Sequence, residues 1–258
     1  MPLVSVVMSV YNCEKYIERS IRSILSQTFT DFEFIIINDG SSDNTEILLQ
    51  KYREKDSRIV IHNQVNKGLT VSLNIGIRLA KGGYIARQDA DDVSLPTRLE
   101  KQVSFLECNN NISLVGTNKL EVCSDGERLG SYYELDSLNK RVFLYSPFAH
   151  TSAMFRKKVF IKIGLYNESF KTAQDLEAWM RFAKYSKISM LNEVLVKRYM
   201  LEESVSSLKR FNQITNSWRA RKMHSEHGLY KIINATLYQL IAAYSPNWII
   251  RMKRIVFK

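Results

Sequence analysis

Three carboxylates stand within four residues of one another, at Asp89, Asp91 and Asp92. They closely follow residues 84–86, a short apolar run typical of a buried strand. Carboxylates this close repel one another unless a cation or a network of donors compensates their charge. Mg²⁺ or Mn²⁺ fits such a cluster, because either ion takes one or two carboxylates and draws other ligands from substrate phosphates. The alternative is a set of solvent-facing acids at a helix N-terminus, favoured by the helix dipole.

The sequence lacks other common patterns for metal and nucleotide binding. An EF-hand is excluded because no Gly stands at loop position six. Neither G-x-x-x-x-G-K-[ST] nor a G-x-G-x-x-G after a strand occurs. The three cysteines form no C-x-x-C pair, so a structural zinc site is not expected. A nucleotide held by acids and a metal remains, and Asp39 at a second strand end can accept a hydrogen bond from a base or ribose.

Alternating strands and helices must position these acids. Buried-strand runs cover residues 4–10, 32–37, 59–61 and 84–86, and a helical pattern follows each of them. This alternation predicts an α/β fold with a mainly parallel sheet and helices on both faces. Asn12 is a candidate cap of the first helix, the third helix is expected over residues 71–80, and Pro96 is expected near the first position of the fourth. Ligands gather at the carboxyl ends of such strands, which here carry Tyr11, Asp39 and the acids from Asp89 onward.

The second half of the chain is less regular. A strand is predicted over residues 112–123 with a hairpin turn at Asp125-Gly126, and a short strand over residues 153–155. A helix is expected to begin near Asp175, and two separate strands to cover residues 188–191 and 194–196.

Charge divides the chain into two parts. The 258 residues contain 37 Lys and Arg against 26 Asp and Glu, a net charge of +11. Residues 205–258 hold ten of the basic residues and a single acid, Glu226. We therefore expect a domain over residues 1–203, with a nucleotide-binding half at 1–95 and an acceptor half at 96–203. A basic helical C-terminal extension over residues 204–258 would follow.

The extension interleaves aromatic residues with its charges. This pattern favours an interfacial element on an anionic membrane surface, and the alternative is an appendage that packs on the domain with its charges solvated. The sequence shows no signal-peptide pattern, and polar residues interrupt its longest charge-free segment, so no membrane span is expected. The expected location is cytoplasmic, with peripheral attachment to the inner face of the membrane.

Four motifs carry a family resemblance. In order they are residues 4–12, residues 38–45, Asn66-Lys67-Gly68 and residues 84–92. Together with a later stretch around Asp175, they resemble the inverting glycosyltransferases of family 2, which have a GT-A fold. The resemblance spans about residues 3–200, and the ordered set is specific where one motif alone is weak. It implies transfer of a sugar, of the hexosyl or N-acetylhexosaminyl class, from a nucleotide-sugar that is expected to be UDP-linked. The implied acceptor is a hydroxyl of a saccharide or of a lipid-linked saccharide.

The resemblance also implies roles for residues of the nucleotide-binding half. Ser9, Tyr11 and Asp39 would line the nucleoside pocket, and Lys67 would lie near the base or the phosphates. Asp89 would lie near the ribose and also belong to the metal site.

The same resemblance implies the metal chemistry. Asp91 would be the more direct ligand of Mg²⁺ or Mn²⁺, which would act as a Lewis acid on the leaving diphosphate. Arg87 would either add to this charge clamp or form a structural ion pair with an aspartate.

An inverting transfer needs a base on the acceptor side, where one carboxylate takes the proton of the incoming hydroxyl. The family places this base in a Glu-Asp pair that opens a helix, and the matching stretch here is Gln174-Asp175. Asp175 is the candidate base, with a helix cap as the alternative. Glu177 is a second candidate, on another side of the helix. His150, in the acceptor half, is a weaker candidate because a lone His is more often structural.

Two other classes of protein compete with this hypothesis. A nucleic-acid-binding module would use the net positive charge, but the charge is weak where the acids cluster and no reader motif occurs, so no nucleic-acid partner is expected. A nucleotidyltransferase of related sheet topology would carry a Gly-rich basic loop after the first strand. This chain has Asn12-Cys13-Glu14 there.

Overall fold

The computed structural model describes residues 1–130, 138–144, 146–200, 210–224, 233, 235–237 and 239–240. Its strands are β1 (Val4–Val10), β2 (Phe32–Asn38), β3 (Ile59–Asn63), β4 (Tyr84–Arg87), β5 (Val93–Ser94), β6 (Ile112–Cys123), β7 (Gly126–Leu129), β8 (Met154–Arg156) and β9 (Lys187–Tyr199). Its helices are α1 (Ile17–Leu25), α2 (Thr45–Arg53), α3 (Leu69–Leu79), α4 (Arg98–Cys108), α5 (Leu138–Arg141), α6 (Lys157–Ile163), α7 (Gln174–Tyr185) and α8 (Arg210–His224).

The first half forms a parallel sheet in the order β3-β2-β1-β4. Both faces of β1 and β2 are buried, which explains their continuous runs of Val, Ile, Phe and Met. Alternate residues serve opposite faces: Val7 and Ile35 pack with α3, whereas Val6 and Met8 pack with α1. The predicted α/β class with helices on both faces is confirmed.

The second half mixes strand directions. β8 pairs antiparallel with both β4 and β6, and β6 then pairs parallel with β9. The prediction of a mainly parallel sheet therefore holds for the first half, and the second half is mixed. β9 runs as one strand through both predicted segments, with register shifts around Asn118 of its partner β6.

Several local predictions were wrong. Asn12 is not a helix cap: its φ is 49° and α1 begins at Ile17, after Tyr16. α3 starts at Leu69, directly after Gly68, which has a φ of 89° that favours glycine. Pro96 precedes the cap residue Thr97 of α4 rather than standing inside the helix. β5 was not foreseen, because two residues give no periodic signal.

The described part of the extension includes a helix that packs on the domain. α8 lies against α7, and its residues Ile214, Ala220 and Arg221 are buried. The proposed boundary at residue 203 falls outside the described residues. Within the described ranges, we find no helix with the length and apolar character needed to cross a membrane.

Candidate active site

One edge of the sheet gathers the predicted nucleotide-binding residues. Val10 pairs with Asn38 and Val7 with Arg87, so β1, β2 and β4 all run toward this edge. The residues at or just beyond their carboxyl ends include Ser9, Tyr11, Asp39 and Asp89. Tyr11 leaves 50% of its surface exposed there. The structure thus brings residues from three separate segments of the chain to one edge of the sheet.

The loops after β1 and β2 are clasped together. The Asn12 backbone N–H donates to Ser41 Oγ at 3.0 Å, and the Ser42 N–H donates to Asn12 Oδ1 at 2.8 Å. The Cys13 N–H donates to Thr45 Oγ1 at 2.9 Å. Burial, with smaller contributions from nearby aspartates, raises the pKa of the Cys13 thiol to about 11. These contacts fix the loop that follows Tyr11 against the loop after β2.

Asp39 holds the loop that carries Lys67. Its Oδ1 accepts the Gln64 amide at 2.7 Å and the Lys67 backbone N–H at 2.8 Å, and its Oδ2 accepts the Gly68 N–H at 2.8 Å. The Asp39 residue is buried, whereas Lys67 is exposed. Asp39 therefore fixes the loop that carries Lys67, a role that its position at a strand end did not reveal.

Two buried arginines lie under the acidic loop that follows β4. Arg87 donates to Asp89 Oδ1 and, through Nη1, to the Gln88 carbonyl. Arg98 is completely buried and donates to the carbonyls of Arg87 and Ala153 at 2.8 and 3.2 Å. Burial, together with the charge of Arg87, lowers the pKa of Arg98 to about 9, so the group stays protonated at neutral pH. No pattern in the sequence indicates that Arg98 is buried, because an Arg in a helix normally faces solvent.

The acids of this loop differ in their charge state. Burial opposes ionisation of Asp89, but the positive charge of Arg87 and of more distant cations outweighs it, so its pKa is lowered. Burial and the charge of Asp89 raise the pKa of Asp91 to about 6. Burial and both neighbouring acids raise the pKa of Asp92, which accepts the Tyr199 N–H at 3.0 Å. Asp92 is therefore a buried anchor to the end of β9.

Arg19 ties the acidic loop to α1 and β9. Its Nη2 donates to the Asp91 backbone carbonyl at 2.7 Å, and its guanidinium carbon lies 3.4 Å from the centre of the Tyr199 ring. This contact fixes the backbone of Asp91 and leaves its carboxylate available. The sequence pattern did not single out Arg19.

Asp175 lies in the first turn of α7 and shares its electrostatic surroundings with Asp89. Burial and the negative charge of Asp89 raise the pKa of Asp175, while its helix N–H groups and Arg198 act in the opposite direction. Arg198 also acts on Asp89, Asp91 and Asp92. This cation at the end of β9 therefore connects the acidic loop with Asp175, a role that the sequence did not predict.

His150 lies in an aromatic cluster. Its Nε2 is 2.7 Å from the Tyr166 hydroxyl, and its ring makes edge contacts with Tyr166 and Trp179. Burial and the charge of Arg87 lower the pKa of His150 to about 3, so the imidazole is neutral at physiological pH. The geometry supports the structural interpretation of this residue.

Glu177 is not brought to the acidic loop. Its buried carboxylate binds Arg181 Nε at 2.9 Å and His224 Nε2 at 2.8 Å. Burial raises its pKa, but these two partners outweigh that effect and lower it. Both oxygens of Glu177 have hydrogen-bond partners, which leaves Asp175 as the candidate base.

The donor set fits a divalent cation completed by phosphate. Asp91 is half-buried beside another carboxylate, and no side chain in the described part of the chain hydrogen-bonds its oxygens. The described residues contain no cluster of three or more His, Cys, Asp or Glu side chains arranged to hold a metal. Two carboxylates without a full cage suit Mg²⁺ or Mn²⁺, which take further oxygens from phosphates.

Comparison with known proteins identifies the family. The sequence model of glycosyl transferase family 2 matches residues 5–164. The chain belongs to this family and is a glycosyltransferase, as the sequence motifs predicted.

Relatives and solved structures agree with this assignment. The O-antigen biosynthesis glycosyltransferase WbnJ of Escherichia coli is 38% identical over 185 residues, covering 70% of this chain and 72% of WbnJ. The S. aureus TarS 1-349 structure in complex with UDP-GlcNAc has a TM-score of 0.74 at 20% identity, covering 94% of this chain and 73% of TarS. The mannosyltransferase PcManGT from Pyrobaculum calidifontis, in complex with GDP-Man and Mn²⁺, has a TM-score of 0.68 at 16% identity, covering 94% and 71%. These structures confirm the GT-A-like fold.

The hydrogen bonds that Asp39 accepts from the Gln64–Gly68 loop, called the Asp39 clamp below, yield a stability prediction. Asp39→Asn places an amide N–H against one of the donors that the carboxylate now accepts, at a cost of about 1–3 kcal/mol. At about 2–4 °C per kcal/mol for a chain of this size, the thermal midpoint should fall by several degrees. Thermal unfolding measured by circular dichroism checks this.

The matched control is Asp125→Asn, which alters a solvent-facing acid of the β6–β7 hairpin. It should leave the midpoint within about 1 °C, since exposed ion pairs contribute little. An Asp39→Asn midpoint equal to that of the control would contradict the assigned clamp.

Proposed function

We propose that this glycosyltransferase moves a sugar from a UDP-linked donor to a hydroxyl of a saccharide or lipid-linked saccharide, with inversion at the anomeric carbon. The observation that carries the proposal is that the helix bearing Asp175 packs beside the acidic loop. Trp179 of α7 contacts the His150 ring, with 5.8 Å between the ring centres. The neighbouring Thr151 hydroxyl accepts the Asp89 N–H at 3.2 Å. The charge of Asp89 also contributes to the raised pKa of Asp175. An acid on α7 and the acidic loop after β4 lie close enough for one charge to alter the other's pKa. Inversion by single displacement requires a charged site for the leaving group and a separate base for the incoming hydroxyl.

The donor would lie along the edge formed by β1, β2 and β4. Ser9, Tyr11 and Asp39 would contact the nucleoside, and Asp89 would lie near the ribose. Lys67, exposed on the loop that Asp39 holds, would supply positive charge to the base or phosphates. The TarS complexes with UDP and UDP-GlcNAc support a uridine donor.

Asp91 and Asp89 would hold Mg²⁺ or Mn²⁺. When bound, the divalent cation would offset the negative charge of the leaving nucleoside diphosphate as a Lewis acid. Arg87 neutralises Asp89 from the buried side, and Arg19 fixes the backbone of Asp91. The Mn²⁺ in the PcManGT complex supports this part of the proposal.

Asp175 would accept the proton of the acceptor hydroxyl. Burial raises its pKa, which strengthens the ionised carboxylate as a base. The helix N–H groups and Arg198 counter the effect of burial and favour that ionised form. Residues 1–95 would then bind the donor, and residues 96–203 would carry the base and the acceptor site.

The reaction itself is tested with a panel of nucleotide-sugars. UDP with Mn²⁺ should raise the thermal midpoint, because a ligand that binds only the folded state stabilises it. At least one UDP-sugar should donate its sugar to a saccharide or lipid-linked acceptor. NMR of the product should show that the configuration at the anomeric carbon is inverted. Retention of configuration, or transfer from GDP-sugars alone, would contradict the proposal.

Variants of two aspartates separate the donor and acceptor roles. Asp175→Asn should lower the transfer rate by about 10²–10⁴-fold, the usual contribution of a general base, with unchanged UDP affinity. Asp91→Asn should weaken divalent-dependent UDP binding as well as transfer. Transfer rates and calorimetric UDP titrations measure these two effects. Asp125→Asn is the control variant and should keep the full rate and the full UDP affinity. A fully active Asp175→Asn enzyme would rule out the assigned base.

A second proposal concerns an anionic membrane surface. We propose that the basic extension, residues 204–258, attaches the enzyme to it. On α8, Phe211 is 72% exposed and Lys222 lies 5.3 Å from the centre of the exposed Trp218 ring. Aromatic and basic side chains on one face suit the headgroup region. The net charge of residues 205–258 in the sequence supports the same partner.

Vesicle binding of the full chain tests the membrane proposal. Trp218→Ser with Lys222→Gln should lower binding to phosphatidylglycerol vesicles by about fivefold or more, since one Lys near the surface contributes about 1 kcal/mol. The control pair Lys55→Gln with Val65→Ser removes an exposed Lys and an exposed apolar residue elsewhere. Equal binding by both pairs, or binding to neutral vesicles alone, would contradict the proposal.

A further inference from the structure

Glu177 is a buried carboxylate beside the candidate base. It stands two residues after Asp175 in the first turn of α7, and its side chain is only 1% exposed. Arg181 binds it through Nε and Nη2, both at 2.9 Å, and His224 Nε2 lies 2.8 Å from Oε1. A carboxylate removed from water needs such partners. One of them comes from α8, a helix of the C-terminal extension.

Arg181 is itself held in place from a third element. It donates to the carbonyls of Ile163, at 2.6 Å, and of Leu165, at the end of α6. Glu177 is therefore fixed between a restrained arginine of its own helix and a histidine of α8. The first turn of α7 cannot shift without breaking at least one of these contacts.

α8 also holds the segment that leads into α7. Asn216 Nδ2 donates to Thr172 Oγ1 at 2.8 Å, and Thr172 Oγ1 donates to the Asn212 carbonyl at 3.1 Å. The Arg219 guanidinium lies 4.5 Å from the centre of the Phe170 ring. Contacts from one helix thus flank Asp175, at residues 170–172 before it and at Glu177 after it.

A strained residue lies between these contacts. Ala173, the cap residue of α7, has a φ of 56°, in the left-handed region that residues with a Cβ rarely adopt. Such a conformation is strained and persists where the surroundings enforce it. The contacts from α8 to Thr172 and Glu177 supply that constraint. Asp175 follows Ala173 by two residues, so its position depends on this turn.

α8 has its own attachment to the domain, away from α7. Arg221 is fully buried and donates to the Leu144 carbonyl at 2.6 Å and to Gln239 Oε1 at 2.8 Å. Burial lowers the pKa of Arg221 to about 10, so it remains charged at neutral pH. The helix is thereby anchored independently of the residues that it holds.

We propose that α8 sets the position of the base-bearing turn, and that His224 is a positioning residue for Asp175 that acts through Glu177. The inference rests on the proposed role of Asp175. It adds a function for the start of the C-terminal extension: α8 belongs to the acceptor side of the catalytic domain. Donor binding, which uses the edge of β1, β2 and β4, does not depend on it.

Kinetics of two His224 variants of the full chain test the proposal. His224→Leu removes the donor to Glu177, and His224→Gln keeps an N–H donor of similar reach. We expect His224→Leu to lower kcat for transfer about tenfold or more with unchanged donor KM and UDP affinity, and His224→Gln to recover most of it. Thr215→Ala, which alters a side chain on the exposed face of α8, is the matched control and should keep full kcat.

A double-mutant cycle shows whether His224 acts through Asp175. In an Asp175→Asn background, His224→Leu should lower the residual rate by less than about twofold, because the positioned group is already absent. Equal losses in both backgrounds would overturn the proposal, as would full kcat in His224→Leu.

Further outcomes separate this inference from the proposed base. If Asp175→Asn is inactive and His224→Leu is fully active, only the positioning role fails. If Asp175→Asn is fully active, the proposed base fails first. Should His224→Leu not fold, Asn216→Ala replaces it: reduced kcat at unchanged donor KM supports the role of α8, and unchanged kcat contradicts it.

Discussion

The structure depends on the balance of charge at one edge of its sheet. Asp89, Asp91 and Asp92 crowd one loop, and Arg87 and Arg98 are buried under it without solvent to screen them. Neither set is tolerable alone, since an uncompensated buried charge costs several kcal/mol. Arg87 offsets Asp89 directly, whereas Asp91 keeps a raised pKa and no side-chain partner in the described residues. Asp91 is therefore the carboxylate of this loop that remains available to a cation.

The end of β9, in the second half of the sheet, contributes to this balance. β9 ends at Tyr199, whose N–H holds Asp92 and whose ring stacks on Arg19. The preceding residue, Arg198, directs its charge toward the same acids and toward Asp175. The parallel pairing of β6 and β9 delivers this strand end to the loop. The mixed half of the sheet thus links the acidic loop after β4 with the surroundings of Asp175.

Local patterns in the sequence were sufficient for much of the fold. Runs such as residues 4–10 and 32–37 identify buried strands by composition alone, and the order of motifs identified the family before any geometry was known. Failures came where the signal was not local. The sequence predicted two strands where the structure has the single long β9, because an Asn-Glu pair interrupts its apolar residues. β5 is too short to show any periodic pattern.

Residues that act on other residues were the hardest to foresee. Arg98 occupies an ordinary helical position and is recognisable only once its buried partners are known. His224 lies almost fifty residues from Glu177, and no spacing rule joins them. By contrast, Asp39 and Asp175 stand at element ends, where sequence reasoning expects function, although their roles remain predictions. Sequence patterns therefore indicate candidate catalytic and binding residues more readily than the residues that hold them in position.

The clasp between the first two loops has a practical consequence. Because the Cys13 thiol is protonated at neutral pH, electrophiles attack it slowly while the clasp is closed. Cys108, by contrast, is exposed at the end of α4. With Cys108 and the third free cysteine, Cys123, both replaced by Ser, the alkylation rate of Cys13 would report how often the clasp opens, and protection by a nucleotide would show which ligands keep it closed.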